Sequence, residues 1–222
     1  DSLAIAGHLN VQGQLRYDSL AVTNIIFTDT LNQAVTTADT LHIKRMTLNK
    51  GQNTHVFLNG QLAIEDSLSF VKGIVYPDSV SVVLFGDTAI AQGASDSSYV
   101  NGPVEKRGNT EFVFPVGKND YYRAIGISAP NTASDKFRAE FWEGNSGLIH
   151  SHDSTDVSLT ALSRNEYWSL NRVNGTSIVS VKLSWDTLKT SCRFSTIGSL
   201  RVAGWDGATW ADYGDNILTG TL

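Results

Sequence analysis

Asp39-Thr40-Leu41-His42-Ile43 holds, in one short stretch, the two patterns that decide how this chain is read. The first is a phrase: Asp, then Ser or Thr, then an apolar residue. It returns as Asp1-Ser2-Leu3, Asp18-Ser19-Leu20, Asp29-Thr30-Leu31, Asp66-Ser67-Leu68, Asp78-Ser79-Val80 and Asp87-Thr88-Ala89, and once more as Asp186-Thr187-Leu188. An Asp carboxylate accepts backbone N–H groups just ahead of it at a bend, and Ser or Thr does so more weakly. The apolar residue is then expected to point inward as a strand begins. The second pattern is apolar-x-apolar. Leu41-His42-Ile43 has counterparts in Leu3-Ala4-Ile5, Leu9-Asn10-Val11, Leu20-Ala21-Val22, Ile25-Ile26-Phe27, Met46-Thr47-Leu48, Val56-Phe57-Leu58, Leu62-Ala63-Ile64, Leu68-Ser69-Phe70 and Val80-Ser81-Val82. Self-similarity of this kind marks a structural unit that is stacked rather than folded once.

Strands this short, joined by Gly, Asn and Asp without helices, predict a parallel β-solenoid over residues 1–100. The phrase recurs at irregular intervals, which fits several strands per coil and loops of unequal length. An antiparallel sandwich is the competing arrangement, but it calls for hairpin dipeptides, and Asn59-Gly60 is the main one here. Residues 101–222 change character: strands lengthen, and all five Trp lie beyond residue 140. Lys136 to Trp142 alternates with Phe137, Ala139 and Phe141 on one face, and Ser177 to Trp185 alternates with Val179, Val181, Leu183 and Trp185. Further strands fall at 111–116, 123–128, 165–170, 200–205 and 209–213. Turn signals at Asn145 to Gly147, Asn174-Gly175 and Asp206-Gly207 separate them, and together they predict an antiparallel β-sandwich. The join lies near Ser98 to Gly108. An open solenoid end exposes core and strand edges, so the sandwich is expected to cap it through residues 99–117.

Composition narrows the function classes. The chain has 222 residues, is 41% hydrophobic and 18% charged, and carries a net charge of -5. It can bury a core, and it has no basic stripe for a phosphate backbone, so nucleic acid is not an expected partner. No apolar run is long enough for a membrane helix, so membrane insertion is not expected either. Cys192 stands alone, which excludes an internal disulfide. Abundant Ser, Thr, Asn, Asp and Gly with sparse Lys suit an extracellular β protein. The chain starts at Asp1 inside the first repeat, which reads as a processed product or a fragment.

The stretch Tyr99-Val100-Asn101-Gly102-Pro103-Val104-Glu105-Lys106-Arg107-Gly108, followed by Phe112-Val113-Phe114-Pro115-Val116-Gly117-Lys118, resembles a block in large secreted surface proteins of the Bacteroidota. Glu166-Tyr167-Trp168-Ser169-Leu170, Val181-Lys182-Leu183-Ser184-Trp185 and Leu200 to Gly207 with Trp210 are similar to the same proteins. The resemblance implies a solenoid-like region followed by a β-sandwich, export of the parent chain by the type IX secretion route, and a place in large adhesin-like chains at the cell surface. It implies no catalytic activity. The leader and the C-terminal sorting domain of those proteins are not in this sequence. Pro115 cannot donate to a strand ladder and is expected at an edge or bulge.

Candidate chemistry is thin. His150-Ser151-His152 places two imidazoles on one side of an extended chain, a spacing that can serve zinc, with Asp153 and Asp156 behind. Asp206, Asp212 and Asp215, with Asn216, offer hard oxygen ligands suited to calcium, though not at EF-hand spacing. Trp205, Trp210 and Tyr213 could form a platform for carbohydrate. No nucleophile elbow, zinc-protease, P-loop or dinucleotide motif is present. Glu65-Asp66 and Glu105-Lys106-Arg107 are the nearest approach to the clustered charges of a β-helix polysaccharide-degrading enzyme. Asn174-Gly175-Thr176 is a formal glycosylation sequon. The expected role is an extracellular structural or adhesive module that assembles with copies of itself or with other modules of a large surface protein. A carbohydrate-binding module is the alternative, and a polysaccharide-degrading enzyme the third reading.

Overall fold

Between Leu41 and Val104 the chain returns to one register position every 21 residues: Leu41, Leu62, Val83 and Val104 are successive partners on parallel strands. This is the coil of a parallel β-solenoid of about four turns, followed by antiparallel sheets. The computed structural model describes residues 1–13, 23–186 and 197–214. The phrases at 18–20 and 186–188, the run at 20–22, and Cys192, Asp215 and Asn216 lie wholly or partly outside the described residues. The chain divides into two compact units, Asp1–Phe141 with Trp168–Lys182, and Trp142–Tyr167 with Leu183–Leu222.

In the first unit the strands are β1 (Ser2–Ile5), β2 (Leu9–Val11), β3 (Asn24–Phe27), β4 (Gln33–Thr37), β5 (Leu41–Asn49), β6 (His55–Asn59), β7 (Gln61–Lys72), β8 (Ile74–Pro77), β9 (Val82–Phe85), β10 (Ile90–Gln92) and β11 (Val104–Arg107). They stack on three sides. Side 1 runs from β1 to β3, the second half of β5, the second half of β7, and β10. Side 2 is β2-β4-β6-β8, extended by parallel bridges from Val75 to Val100 and on to Val116. Side 3 is the first half of β5, the first half of β7, β9 and β11. β5 and β7 each turn the corner between sides 3 and 1, with a register shift between Ile43 and Arg45. Alternation then fills the interior with like residues: Ile25, Met46 and Leu68 in one column, Phe27, Leu48 and Phe70 in the next, all buried. Each such side chain removed from water contributes roughly 1.5–3 kcal/mol.

The Asp-Ser/Thr-apolar phrase marks corners, but its apolar residue does not always face in. Leu41, Leu68 and Ala89 are buried, whereas Leu31 and Val80 are 69% and 78% exposed; Leu3 is 47% exposed although it continues the inward column of Ile25, because β1 is the end strand of the stack. For Leu31 and Val80 the reason is local. Asp39 stands just before β5 and Asp66 lies within β7, while Asp29 and Asp78 hold wider turns whose N–H groups they accept, from Thr30 and Leu31 in one and from Val80 in the other. Asn59-Gly60 forms no hairpin. It turns the chain from side 2 to side 3 between parallel strands. Gly60 sits at φ +125°, where a Cβ would fall 2.7 Å from the Thr37 carbonyl oxygen.

Antiparallel pairing begins where the parallel stack ends. β11 pairs with β9 on one edge and, in the opposite sense, with β16 (Lys136–Glu143) on the other, and β17 (Glu166–Asn174) follows. β12 (Phe112–Phe114), β15 (Ile125–Ile127) and β18 (Val181–Leu183) form a small sheet, and β13 (Gly117–Lys118) and β14 (Tyr121–Tyr122) a ribbon. Phe137, Ala139 and Phe141 are buried, as the alternation predicts. Pro115 follows β12, and its carbonyl accepts Val100 N–H at 2.8 Å. In the second unit, β19 (Ala203–Trp205) and β20 (Trp210–Asp212) make a hairpin.

Candidate functional site

The Trp-rich region folds locally because Asp206 closes the β19–β20 turn. Its Oδ1 accepts N–H from Ala208 at 2.9 Å and Thr209 at 2.8 Å, and these bonds hold the carboxyl below the usual carboxylate range. Trp205 and Trp210 are register partners across the hairpin, with ring centroids 5.9 Å apart at 63°. His150 stacks on Trp205 at 4.7 Å and 7°, and His152 meets Trp210 edge-on at 5.7 Å. The segment 154–156 runs beside β20, bonding through Ser154 O and Asp156 N to the Trp210 backbone. A four-ring cluster results. One face of the Trp205 ring is already covered by the imidazole.

Tyr213 is not part of that cluster. It is 61% exposed, and its ring edge lies 2.7 Å from where a Cβ on Gly204 would stand. Gly204 and Trp205 alternate faces along β19, so Tyr213 lies across the hairpin from the two tryptophans. The acidic side chains are engaged as well. Asp212 accepts Ser158 Oγ–H at 2.6 Å and Gly214 N–H at 2.7 Å, which lowers its pKa, and Arg201 Nε lies 3.9 Å away. His152 Nε2 pairs with Ser146 Oγ at 2.9 Å, and burial lowers its pKa. Among the described residues no group of three His, Cys, Asp or Glu side chains is placed to hold a metal ion.

On the solenoid, the acids that suggested an enzyme each have a cationic or imidazole partner. His42 Nδ1 and Glu65 Oε1 are 2.6 Å apart, and Arg45 Nε donates to Asp66 at 2.5 Å. Glu105 is buried between Arg138, through two donors, and Lys136 at 3.4 Å. An open groove on side 1 is lined by Asn24, Arg45, Thr47, Asp66, Ser69 and Gln92. Thr47 Oγ–H donates to Asn24 at 3.3 Å, and Gln92 Nε2 to Ser69 at 2.7 Å, a ladder of uncharged side chains bridging coils.

Sequence reading missed two groups. Lys50 and Lys106 are buried, and each ammonium binds a corner of the coil before it: Lys50 takes Thr28 O, Leu31 O and Gln33 Oε1, and Lys106 takes Gly86 O, Asp87 O and Ala89 O. Gln33 does the same one coil earlier, donating to Ile5 O and Gly7 O. The second group is aromatic: His55, Phe57 and Tyr76 meet on the outer face of side 2. Phe57 sits in an apolar-x-apolar run, and a middle residue there faces outward, which is the signal that could have found it. The chain matches no protein-family model, no curated protein and no solved structure.

Proposed function

We propose that the chain is an extracellular structural and adhesive module of a large surface or appendage protein, working through assembly and surface contacts rather than turnover. The observation that carries this reading is the unbroken rung register from Leu41 to Val104, reinforced at the corners by Gln33, Lys50 and Lys106. A stack in which each coil rests on its neighbour is a stiff rod whose outer ladders repeat along its length. Repeated surfaces on a stiff rod suit contacts with copies of itself or with other modules of a parent chain. The composition and the resemblance carried by residues 99–118 support a place outside the cell, with export by the type IX route.

Assembly is tested by light scattering with electron microscopy on the purified chain and on its native parent. Rings, fibres or defined oligomers are expected. Monomers of both at high concentration, with and without calcium, would overturn self-assembly. The second reading, glycan binding at the Trp205–Trp210 pair, predicts that Trp205→Ala and Trp210→Ala abolish retention on carbohydrate.

A further inference from the structure

The outer face of side 2 carries two parallel columns of side chains. Ala34, Phe57 and Tyr76 are register neighbours on β4, β6 and β8, and Asn10, Thr36 and Asn59 on β2, β4 and β6. The residues that alternate with them, Val35, Val56, Leu58 and Val75, are buried, so alternation turns both columns outward. Phe57 is 41% exposed, a large ring kept where the core does not need it. Its centroid lies 5.7 Å from Tyr76, tilted 41°, and His55 stands edge-on to Tyr76 at 4.8 Å. The rings therefore brace one another in fixed positions. In the second column Asn59 Nδ2 reaches Thr36 Oγ1 at 3.5 Å, and Gln12 Nε2 donates to Asn10 Oδ1 at 2.7 Å. None of the six column residues is charged.

We propose that this face binds a neutral glycan. A pyranose ring has an apolar C–H face and a rim of hydroxyls, and the surface offers both: the ring pair Phe57 and Tyr76 on β6 and β8, and an amide and hydroxyl column on β2, β4 and β6 that meets it at Asn59. The C–H face would pack on Phe57 and Tyr76, and the hydroxyls would bond Asn59, Thr36 and Asn10. An apolar protein partner would bury the donors and acceptors of the amide column that the Asn59–Thr36 and Gln12–Asn10 bonds leave over, at a cost of about 1–3 kcal/mol per group. An anionic polymer would find no countercharge in either column. Rungs about 4.8 Å apart give the four-strand face, β2 to β8, a length of roughly 14 Å, the run of a short oligosaccharide. This goes beyond the assembly reading and does not depend on it, since a monomer could bind equally well.

The test is calorimetric titration of the full chain with cellohexaose and with laminarihexaose. Binding of at least one is expected. It should weaken about tenfold or more, roughly 1.4 kcal/mol, in Phe57→Ala and in Tyr76→Ala, weaken less in Asn59→Ala, and stay unchanged in Trp205→Ala and on adding salt. Phe57 and Asn59 face outward, so their variants should melt like the parent chain and carry the test if Tyr76→Ala does not fold. Absence of binding to both sugars would overturn the proposal. So would binding that survives Phe57→Ala and Asn59→Ala, or binding lost in Trp205→Ala instead.

Discussion

Lys106 is the register partner of Phe85: along side 3 the inward position passes from Ile43 to Ile64 to Phe85 and then to a lysine. Its ammonium satisfies the carbonyls of Gly86, Asp87 and Ala89 and lies 5.2 Å from the centre of the Phe112 ring. Burial pulls its pKa down to about 8, against weaker support from the Asp87 carboxylate. The folded state thus releases this proton at lower pH than the unfolded state, whose lysine titrates near 10.5. The penalty is full below about pH 8 and relieved between there and 10.5, so stability should rise with pH across that window, by at most about 3 kcal/mol. Burial also raises the pKa of the Tyr99 and Tyr122 hydroxyls. They stay protonated when unfolded tyrosines ionise, so stability should fall again above about pH 10. Urea unfolding at a series of pH values checks both limbs. In Lys106→Met the rising limb should shrink.

Asp135 organises the turn that receives Gly175. It is buried and accepts from Ser177 Oγ, Thr132 N at 3.1 Å and Thr176 N at 3.2 Å. These bonds, the Ser177 hydroxyl first, lower its pKa, so the stability it supplies is present above its ordinary pKa and is lost as pH falls through the lower folded value. Gly175 has φ +89°, and a Cβ there would fall 1.5 Å from Asp135 Oδ1. Gly175→Ala combines that clash with a strained backbone and should cost about 1–3 kcal/mol. Thermal melts of the variant at neutral pH decide it; an unchanged midpoint would refute the account.

Glu105 links β11 to β16 through Arg138 and Lys136, and its carboxylate is buried. Arg138 is half exposed and can recover water when the partner is removed, so the loss falls short of a fully buried pair. Glu105→Ala should destabilise by about 1–3 kcal/mol. Charge reversal at Arg138 (Arg138→Glu) should cost more, because two carboxylates would then face each other across the strands. Denaturant midpoints of both variants order the two effects.

The solenoid is legible because a stacked coil must repeat its apolar positions: Leu41-His42-Ile43 and Leu62-Ala63-Ile64 announce the same rung. β4 and β8 were harder to see. Gln33 opens β4 as a buried corner donor and Pro77 closes β8, neither of which a hydrophobic pattern reveals. Lys50 and Lys106 escaped for the same reason, since a lysine read alone is a surface residue until three carbonyls are found around it. Trp205 and Trp210 could be paired from the hairpin around Asp206-Gly207, but the His150 ring on Trp205 comes from more than fifty residues away. Tyr213 follows Asp212 past the end of β20, and alternation alone does not place it over Gly204.

The end of the solenoid is closed from within its own unit. Phe112 packs 5.0 Å from Phe85 and 5.0 Å from Phe114, and Val100 bridges Val75 to Val116. The rung Val104–Arg107 covers the free edge of β9 and brings the Lys106 ammonium to the corner carbonyls. A fragment of residues 1–98 loses all of these together. It bares the edge of β9, the condition under which strand edges recruit other chains, and takes the Lys106 ammonium away from the carbonyls of Gly86, Asp87 and Ala89. Light scattering of that fragment should report aggregates. The subtler variant Phe112→Ala should keep the coil stack but lose about 3 kcal/mol, since the ring is buried against Phe85. A monodisperse, soluble 1–98 fragment would show that the coils need no closure and that residues 99–117 serve another purpose.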